Sequence, residues 1–485
     1  MRRGTAILLS TLGLTACISL DPTYHRPVSP AATTWPSGPA YAALQPNSTN
    51  AADIPWRDFV KDEKLREVVD QALGNSRNLR KAITSIESAR AQYRVQRANL
   101  FPQVSASVNV DESRTLNPYA GTGTGTGSGS SSSGSGSGSA LTMTNDTAQV
   151  GLSSYEIDLF GRNRSLTRAA YESYLSTAEA ARATRISLIS ETITAYLTLA
   201  ADQTTMGIAQ ATLQNALRSM QVTGSRLAAG VASLVDVKQA ETIYQQARSD
   251  VASLTASVAQ DRNALELLAG SPIDEALLPA ELPEKGEWLA DIPAGISSDV
   301  LLNRPDVLEA EHTLKSANAD IGAARAAFFP SLSLTASEGR ASSSLSQLFS
   351  GPTVWSWAPS LSLPLFTGGA NSASLANTKA QRDGYVAAYE LAIQTAFKEV
   401  ADALAVRGTI QEQLDAQAAL VDAATESYRL ADARYTKGAD SFLNALISQR
   451  TLYSAQKTLV TTRLTALENR VTVYRALGGG LAERS

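Results

Sequence analysis

Most of the chain carries apolar residues at the spacing of an amphipathic α-helix. No proline occurs between Gly161 and Pro272, and apolar stripes at helical spacing recur through this stretch. The pattern predicts one helix from about Asn163 to Leu227, which at 1.5 Å per residue is about 95–100 Å long. No globular core has that length, so the helix must pack along its side against other helices, in the manner of a coiled coil.

A turn around Gly230 separates this helix from a shorter one, predicted from about Leu234 to Ala269. An arginine stands four residues before the glycine and a polar residue six after it, and the same spacing recurs around Gly438. A second long helix, about Asn371 to Tyr435, precedes that glycine, and a shorter one, about Phe442 to Leu477, follows it. We interpret both turns as the tips of helical hairpins.

Four short segments change from the helical period to strict alternation of apolar and polar residues, which predicts β-strands with two different faces. They are Val104–Asp111, Ala148–Ser153, Ser331–Ala336 and Val354–Leu365. Residues 121–139, between the first two strands, alternate glycine with serine or threonine. Such a sequence cannot bury apolar surface, so we predict a flexible loop there.

The order of elements in the first half of the chain recurs in the second half. Helices begin at Asp62 and at about Asn78, and the second stops at Phe101-Pro102. A helix predicted from about Asp299 to Ala327 likewise stops at Phe329-Pro330. The chain is therefore predicted to be a tandem repeat of two strands plus a long helical hairpin, and the Gly/Ser stretch interrupts the first copy at a loop tip.

The N-terminus has the features of a lipoprotein signal. Met1–Arg3 is basic, and Ala6–Leu14 is apolar but too short to span a bilayer. Leu14–Cys17 then forms a lipobox, so Cys17 is the candidate lipidation site; the alternative is an ordinary signal peptide with an unrelated cysteine. Ile18, rather than aspartate, follows the cysteine, which is compatible with delivery to the outer membrane.

The stretch after Cys17 is rich in proline and is predicted to be an extended connector that Tyr24, Trp35 and Trp56 attach to the body. The predicted organisation is a signal peptide (1–16), a lipid-anchored extended segment (17–60), a first structural repeat (61–285) containing the loop 121–139, a second structural repeat (286–478) and a C-terminal tail (479–485).

The four predicted strands have the length and alternation of membrane-spanning β-strands. Four strands cannot close a barrel, and an open sheet edge in lipid would leave backbone groups unpaired at several kcal/mol each. Several copies must therefore pool their strands, and three copies would supply twelve. The long helices would then line a second, helical barrel, and the assembly would be a conduit. The alternative is a soluble coiled-coil scaffold whose strands form a small cap.

Composition excludes several other functions. The net charge is −4 and no basic patch occurs, so nucleic acid is not an expected partner. With two histidines and one cysteine, most metal and nucleophile constellations are excluded by count. No phosphate-binding loop or paired catalytic acid is found, so we expect no cofactor and no enzymatic activity, and the energy for transport must come from a partner.

Several sequence runs together resemble one known family. They include Asp21–Pro27, Asp158–Arg162, Asn303–Glu311, Ala323–Ser331 and Leu363–Gly369. In this order, behind a lipobox, they resemble the TolC-like outer-membrane efflux proteins, in the NodT/OprM-like lipoprotein branch. The resemblance implies a mainly α fold with a membrane β-barrel, in which a homotrimer builds a 12-strand β-barrel on an α-helical barrel.

The resemblance also implies the function. Such a channel-tunnel is anchored in outer-membrane lipid, extends into the periplasm, and docks with a periplasmic adaptor protein and an inner-membrane pump of the RND type. It is a passive exit duct for small toxic compounds such as drugs. Two alternatives remain open: an export tunnel for proteins, as in type I secretion, and a structural coiled-coil lipoprotein without a pore.

In this family the hairpin ends form the periplasmic aperture and meet the adaptor, which implies roles for residues at both tips. The implied contacts with the adaptor are Arg226, Leu227, Gly230, Ser233 and Gly438, and the implied aperture or gate residues are Asp236, Arg434, Tyr435, Asp440, Asn444 and Ile447.

Symmetry explains why carboxylates matter at such an aperture. In a trimer each aspartate becomes a ring of three, which favours cations and can be closed by hydrogen bonds from Arg or Tyr on a neighbouring helix. The alternative for Asp236 and Asp440 is a helix-capping or helix-dipole role. Relatives often carry aspartate where this chain has Asn444 or Ile447, so the expected ring depends chiefly on Asp440.

Overall fold

The computed structural model describes residues 19–41, 54–116, 140–284, 287–292 and 298–480. Cys17 and the 121–139 stretch lie outside the described residues, as do the signal peptide and the last part of the C-terminal tail.

The described chain consists mainly of long helices, with one antiparallel sheet. Its elements in chain order are α1 Trp56–Phe59, α2 Glu63–Asn75, α3 Arg77–Ala98, β1 Val104–Leu116, β2 Ala140–Ile157, α4 Arg162–Ala228, α5 Leu234–Ala269, 3₁₀ turns at Glu275–Leu277 and Ser298–Asn303, α6 Pro305–Ala326, β3 Ser331–Ser342, a 3₁₀ turn at Leu345–Ser350, β4 Thr353–Ser362, α7 Ala370–Thr436 and α8 Phe442–Ala476.

The structure confirms the four long helices that the pattern of apolar positions predicted. Helices α4 and α7 have 67 residues each, and α5 and α8 return from them over 36 and 35 residues. Helix α5 ends at Gly270, which has φ +73°. A Cβ at this position would come within 2.4 Å of the Asn75 carbonyl oxygen. The glycine therefore supplies both the left-handed conformation and the space that α2 needs.

Strands β1, β2 and β3 are longer than predicted, and two boundaries in the second half differ because of proline. The helix expected from Asp299 to Ala327 is a 3₁₀ turn followed by α6, which starts at Pro305. Proline disfavours a helical conformation at the residue before it and is favoured at the first helical position, so the chain restarts there. The strand expected to reach Leu365 ends at Ser362, just before Pro364, which has no N–H for the ladder.

The residue at that restart, Arg304, is buried and ties three parts of the chain together. It forms ion pairs with Asp306 and Glu399 at 2.7 and 2.8 Å, and its Nη1 donates to the carbonyl oxygen of Ala476 at 2.8 Å. This last hydrogen bond supplies a donor to one of the carbonyl groups that the C-terminal turn of a helix leaves without a partner in the helix itself.

The sheet has the order β1-β2-β3-β4, with every pair antiparallel. Val150, Glu338 and Trp355 lie side by side in one cross-strand row, and Leu152, Ala336 and Trp357 lie in the neighbouring row. This face carries the apolar residues that the alternation predicted. The opposite face is polar, with Ser337 and Ser356 hydroxyls 2.8 Å apart.

The described residues fall into two compact units. The sheet unit draws on residues up to His25, on Arg90–Ser173 and on Lys315–Asp383. The helical unit draws on Arg26–Ala89, on Tyr174–Leu314 and on the chain from Gly384 onward. Each unit therefore takes residues from both predicted repeats.

The N-terminal segment is attached to both units by the predicted aromatic residues and by charged groups. In the sheet unit, Asp21 forms an ion pair with Arg168 at 2.6 Å, and Lys315 lies 5.3 Å from the ring of Tyr24. In the helical unit, the ring of Trp35 stacks on Phe397 at 5.0 Å and Trp56 is 1% exposed. The prediction for these three aromatic residues is confirmed.

Among the helices of the described residues, none combines the length and the apolar character that a transmembrane helix requires.

Candidate functional site

The two hairpin tips have the same backbone construction. In the first, Gly230 has φ +76°, its N–H donates to the Leu227 carbonyl, and Val231 N–H donates to the Arg226 carbonyl, both at 2.9 Å. In the second, Gly438 has φ +73° and repeats both bonds in its own hairpin. This is a Schellman end with glycine in the left-handed conformation. The spacing from Arg to Gly that recurs in the sequence is therefore the signature of a helix end.

The first tip continues into α5 through a capping box. Ser233 Oγ accepts from the backbone N–H of Asp236 at 3.2 Å, and Asp236 Oδ2 accepts from the backbone N–H of Ser233 at 2.9 Å. The Ser233 hydroxyl also donates to the same carboxylate oxygen at 2.8 Å. Two free donors at the helix start are thereby satisfied. Asp236 thus has the capping role that the sequence left as an alternative.

The second tip is held by the carboxylate of Asp440. Its Oδ1 accepts from the backbone N–H of Ser441 and from Asn444 Nδ2, both at 2.8 Å, and its Oδ2 lies 3.3 Å from Arg434 Nε. These bonds, led by the one from Ser441, lower the pKa of Asp440 below its ordinary value. The carboxylate therefore keeps its negative charge to a lower pH than a free aspartate.

Arg226 joins the two tips. Its Nη1 donates to the carbonyl oxygen of Tyr435 at 2.8 Å, and its guanidinium carbon lies 4.5 Å from the centre of the Tyr435 ring. The hydroxyl of Tyr435 lies 3.2 Å from Thr223 Oγ1, and its ring packs against Phe442 at 5.1 Å. We call Thr223, Arg226, Tyr435 and Phe442 the tip junction. A half-buried cation over an aromatic ring contributes about 1 kcal/mol in addition to its hydrogen bond.

A small apolar core supports the tip junction. Tyr435 and Phe442 are 7% and 4% exposed, and helices from both hairpins surround them. Packed residues in a core hold one arrangement rather than a continuum, so the two tips are fixed to each other within the chain. The remaining members of this core are Met220, Ala240, Ile243, Ala431, Ala445 and Leu446.

Beside this core the tips expose several apolar side chains. On the first tip Val231, Leu234 and Val235 are between 61% and 70% exposed. On the second, Leu443 and Ile447 are 45% and 52% exposed. A cluster of this kind on a hairpin end is typical of a surface that another protein covers.

Some of the residues that the sequence singled out contact each other in the structure, and others have different surroundings. Arg226 and Tyr435 contact each other in the tip junction, with Gly438 close to Arg226. Arg434, Asp440 and Asn444 form one hydrogen-bonded group. Leu227 is half-buried and Gly230 is exposed. Ser233 pairs with Asp236 within its own tip.

Sequence reasoning missed a second connection between the hairpins, further along their helices. Tyr453 donates its hydroxyl to Asp250 at 2.7 Å, and Lys457 Nζ lies 3.8 Å from the same carboxylate. Asp250 lies in α5 and the other two in α8, about two hundred residues later. The spacing of residues within one helix cannot predict a contact between two helices that are so far apart in sequence. Among the described residues no group of three or more His, Cys, Asp or Glu side chains is placed to hold a metal ion.

Comparison with known proteins assigns the chain to a family. The model of the outer membrane efflux protein family matches residues 68–271 and 296–479. The chain belongs to this family. The antibiotic efflux pump outer membrane protein ArpC and the toluene efflux pump outer membrane protein TtgC, both from Pseudomonas putida, are each 44% identical to it over 98% of this chain and 96% of their own length.

A solved structure supports the assignment at the level of the fold. The open state of the MtrE outer membrane channel of Neisseria gonorrhoeae superposes with a TM-score of 0.81 at 36% identity, over 96% of this chain and 99% of that one. The family member described here therefore has the TolC-like fold, in which an α-helical barrel is combined with a β-barrel. Efflux across the outer membrane is its class of function.

Proposed function

We propose that three copies of this chain form the outer-membrane exit duct of a tripartite efflux system. The observation that carries the proposal is the four-stranded sheet, which is too small to close. Within the described part of the chain, its outer strands β1 and β4 each have one free edge. Unpaired backbone in lipid costs several kcal/mol per group, so the two edges must meet other copies. Three copies give the twelve strands of a TolC-like barrel.

The duct is passive and takes its energy from partners: a periplasmic adaptor and an inner-membrane pump of the RND type. Cys17 carries the lipid that tethers each copy to the outer membrane. The transported compounds are small and toxic to the cell. Two relatives named for antibiotic and toluene efflux support this substrate class.

The hairpin tips form the periplasmic aperture and the adaptor contact. Ser233 and Arg226 are engaged in bonds within the chain, so the adaptor surface consists mainly of Gly230, Gly438 and exposed apolar neighbours such as Leu234 and Val235. Apolar side chains at the centre of such a contact, with polar ones around it, are what protein interfaces require.

The aperture is lined by Asp440 three times around the axis, with Arg434 and Asn444 holding each carboxylate in place. Such a ring attracts cations and repels anions. Ile447, one helical turn beyond Asn444, adds an exposed apolar ring. Opening requires the tips to part, and the tip junction resists that movement within each chain.

Two measurements test the function. Purified protein reconstituted in planar bilayers should be trimeric and should conduct ions; a non-conducting monomer would leave a structural lipoprotein as the remaining interpretation. A deletion strain should become more sensitive to small toxic compounds while its secreted proteins remain unchanged. The reverse outcome, a changed secretome with normal resistance, would instead favour an export tunnel for proteins.

A further inference from the structure

A short 3₁₀ turn, Leu345–Ser350, connects β3 to β4. We call it the rim turn. Its central residue, Leu348, is 1% exposed, whereas Leu345 and Phe349 on either side are 59% and 77% exposed. The turn thus packs on the sheet with one apolar side chain and presents two others outward.

The environment of Asp146 shows which face of the sheet the rim turn covers. Asp146 and Val150 lie on the same face of β2, since they are four residues apart in one strand. Val150 is 54% exposed, but Asp146 is 1% exposed. Among the described elements, β1, β3 and the rim turn pack on β2. The two strands lie beside β2, so among these described elements the rim turn is the one placed over the face that carries Asp146.

This face is the apolar face of the sheet. The row of Val150 continues through Glu338 to Trp355, and the next row contains Trp357. Both tryptophans are more than 60% exposed. In a membrane β-barrel the apolar face points to lipid and the polar face to the lumen. The rim turn therefore lies on the lipid side of the strands.

Charged residues indicate the depth of the turn in the membrane. Glu338 and Arg340 stand on the same face, in successive rows between Trp357 and the rim turn. Charges on the lipid face cost about 2–4 kcal/mol at the midplane but little near the interface. Arg340 Nη1 donates to the carbonyl oxygen of Gly351 at 2.8 Å and so fixes the end of the turn. The turn is thus placed at the interface and not at the midplane.

We propose that the rim turn is an interfacial lipid anchor, with Leu345 and Phe349 inserted at the boundary between headgroups and acyl chains in the leaflet at this end of the sheet. This site is continuous with the apolar face that carries the exposed side chains of Trp355 and Trp357. Aromatic and leucine side chains at this depth are typical of interfacial segments. The proposal rests on the outer-membrane duct described above and adds a lipid contact beyond the strands.

Spin labels can test the anchor. The variants Phe349→Cys and Leu345→Cys place labels on the outward side chains, and Ser346→Cys is the control on the same turn, where the serine is exposed. The unsubstituted protein, whose one cysteine is Cys17, gives the background signal. Trimers are reconstituted in phospholipid vesicles, and collision with oxygen is compared with collision with a water-soluble nickel chelate.

Labels at 349 and 345 should be several-fold less accessible to the nickel chelate than the label at 346, and more accessible to oxygen. If the labels at 349 and 345 collide with the nickel chelate as often as the label at 346 does, the proposed lipid anchor is wrong. Conductance of the same vesicles separates this outcome from failure of the duct. A conducting trimer with water-exposed labels refutes only the lipid anchor, whereas a preparation that does not conduct refutes the proposed function.

Discussion

Arg226 in the first hairpin donates a hydrogen bond to the carbonyl oxygen of Tyr435 in the second, at 2.8 Å, and covers the tyrosine ring with its guanidinium. The bond joins the last turns of two helices that are more than two hundred residues apart in sequence. Any movement that separates the tips within one chain must break it. The strength of this contact should therefore influence how often the aperture opens.

We expect Arg226→Ala to raise the conductance or the open fraction of the reconstituted channel, because both the hydrogen bond and the ring contact are lost. Arg226→Lys should have an intermediate effect, since it keeps the charge but not the planar group. Arg429→Ala is the matched control, because Arg429 bonds only Glu426 of its own helix among the contacts described for it. Equal conductance in all four proteins would show that the tip junction does not restrict opening.

Asp440→Asn should reduce the preference for cations in single-channel reversal potentials, while Asp440→Glu should retain much of it. The pKa of Asp440 lies below its ordinary value because the carboxylate accepts from Ser441, Asn444 and Arg434. Its charge is therefore present above the ordinary pKa and is lost only as the pH falls through the lowered value. The cation preference of the unsubstituted channel should accordingly be constant from pH 8 to about pH 5. An Asn variant with unchanged selectivity would refute the carboxylate ring.

Asp261, in α5, should make the protein less stable at neutral pH than in mild acid. Burial, then the nearby carboxyl of Asp202, and a side-chain hydrogen bond between the two carboxyl groups raise the pKa of Asp261 to about 6. In the unfolded chain the pKa is about 3.9. The folded state thus binds a proton more tightly, so stability falls as the pH rises from about 4 to about 6 and stays lower above that.

The substitution Asp261→Asn removes this dependence. It should raise the melting temperature at pH 7.5, where the buried charge would otherwise be present, and should have little effect at pH 4. Scanning calorimetry or the loss of trimer on heating would measure the difference. A shift of the same size at both pH values would mean that the charge of Asp261 is not its cause.

Removing Arg26 should loosen the N-terminal segment from the helical unit. Arg26 Nη2 lies 2.5 Å from Glu311, whose side chain is 3% exposed. Arg26→Ala leaves a buried carboxylate without this ion pair, at a cost of roughly 1–3 kcal/mol. Faster proteolysis of the segment near Trp35 would report the change. Adding Glu311→Gln should recover part of the loss, and an unchanged cleavage rate in Arg26→Ala would contradict the argument.

Two glycine substitutions should change the stability of the protein in opposite directions. Gly270→Ala should destabilise the protein by more than 1 kcal/mol, since Gly270 has positive φ and its Cβ would meet Asn75 and Ser76. Gly224→Ala, within α4, should stabilise it by about 0.5–1 kcal/mol, because a Cβ there meets nothing within 4 Å and alanine favours the helix. Thermal unfolding of the two variants under identical conditions makes the comparison.

Much of the fold was accessible from the sequence because its elements are long and regular. The bounds of α5 follow from one period, a serine cap and Gly270, and the paired glycines at 230 and 438 mark both hairpin tips. Strands were harder to delimit. The strand β2 begins at Ala140, eight residues before the predicted start. Leu141 and Met143 alternate on the face opposite to Val150, and the consecutive polar residues 144–147 separate them from the predicted strand.

The chemistry of the tips was less accessible than their position. The repeat spacing identified Arg226 and the family resemblance implied Tyr435, but only packing shows that they contact each other. The sequence left Asp236 between a gate role and a helix-capping or helix-dipole role, and the distance to Ser233 supports capping. Thr223 and Asp250 carry no local signal, because their partners lie on helices from the other half of the chain.

The free edges of β1 and β4 have a consequence for genetics as well as for structure. Under the proposed ring, one copy meets its neighbours through two different strands, so each copy takes part in two joints of the circle. A variant with a damaged β1 edge and an intact β4 edge would still join a neighbour but could not close the barrel. Such an allele should be dominant over the wild type, because only a minority of all the trimers formed from both kinds of copy would consist of sound copies alone.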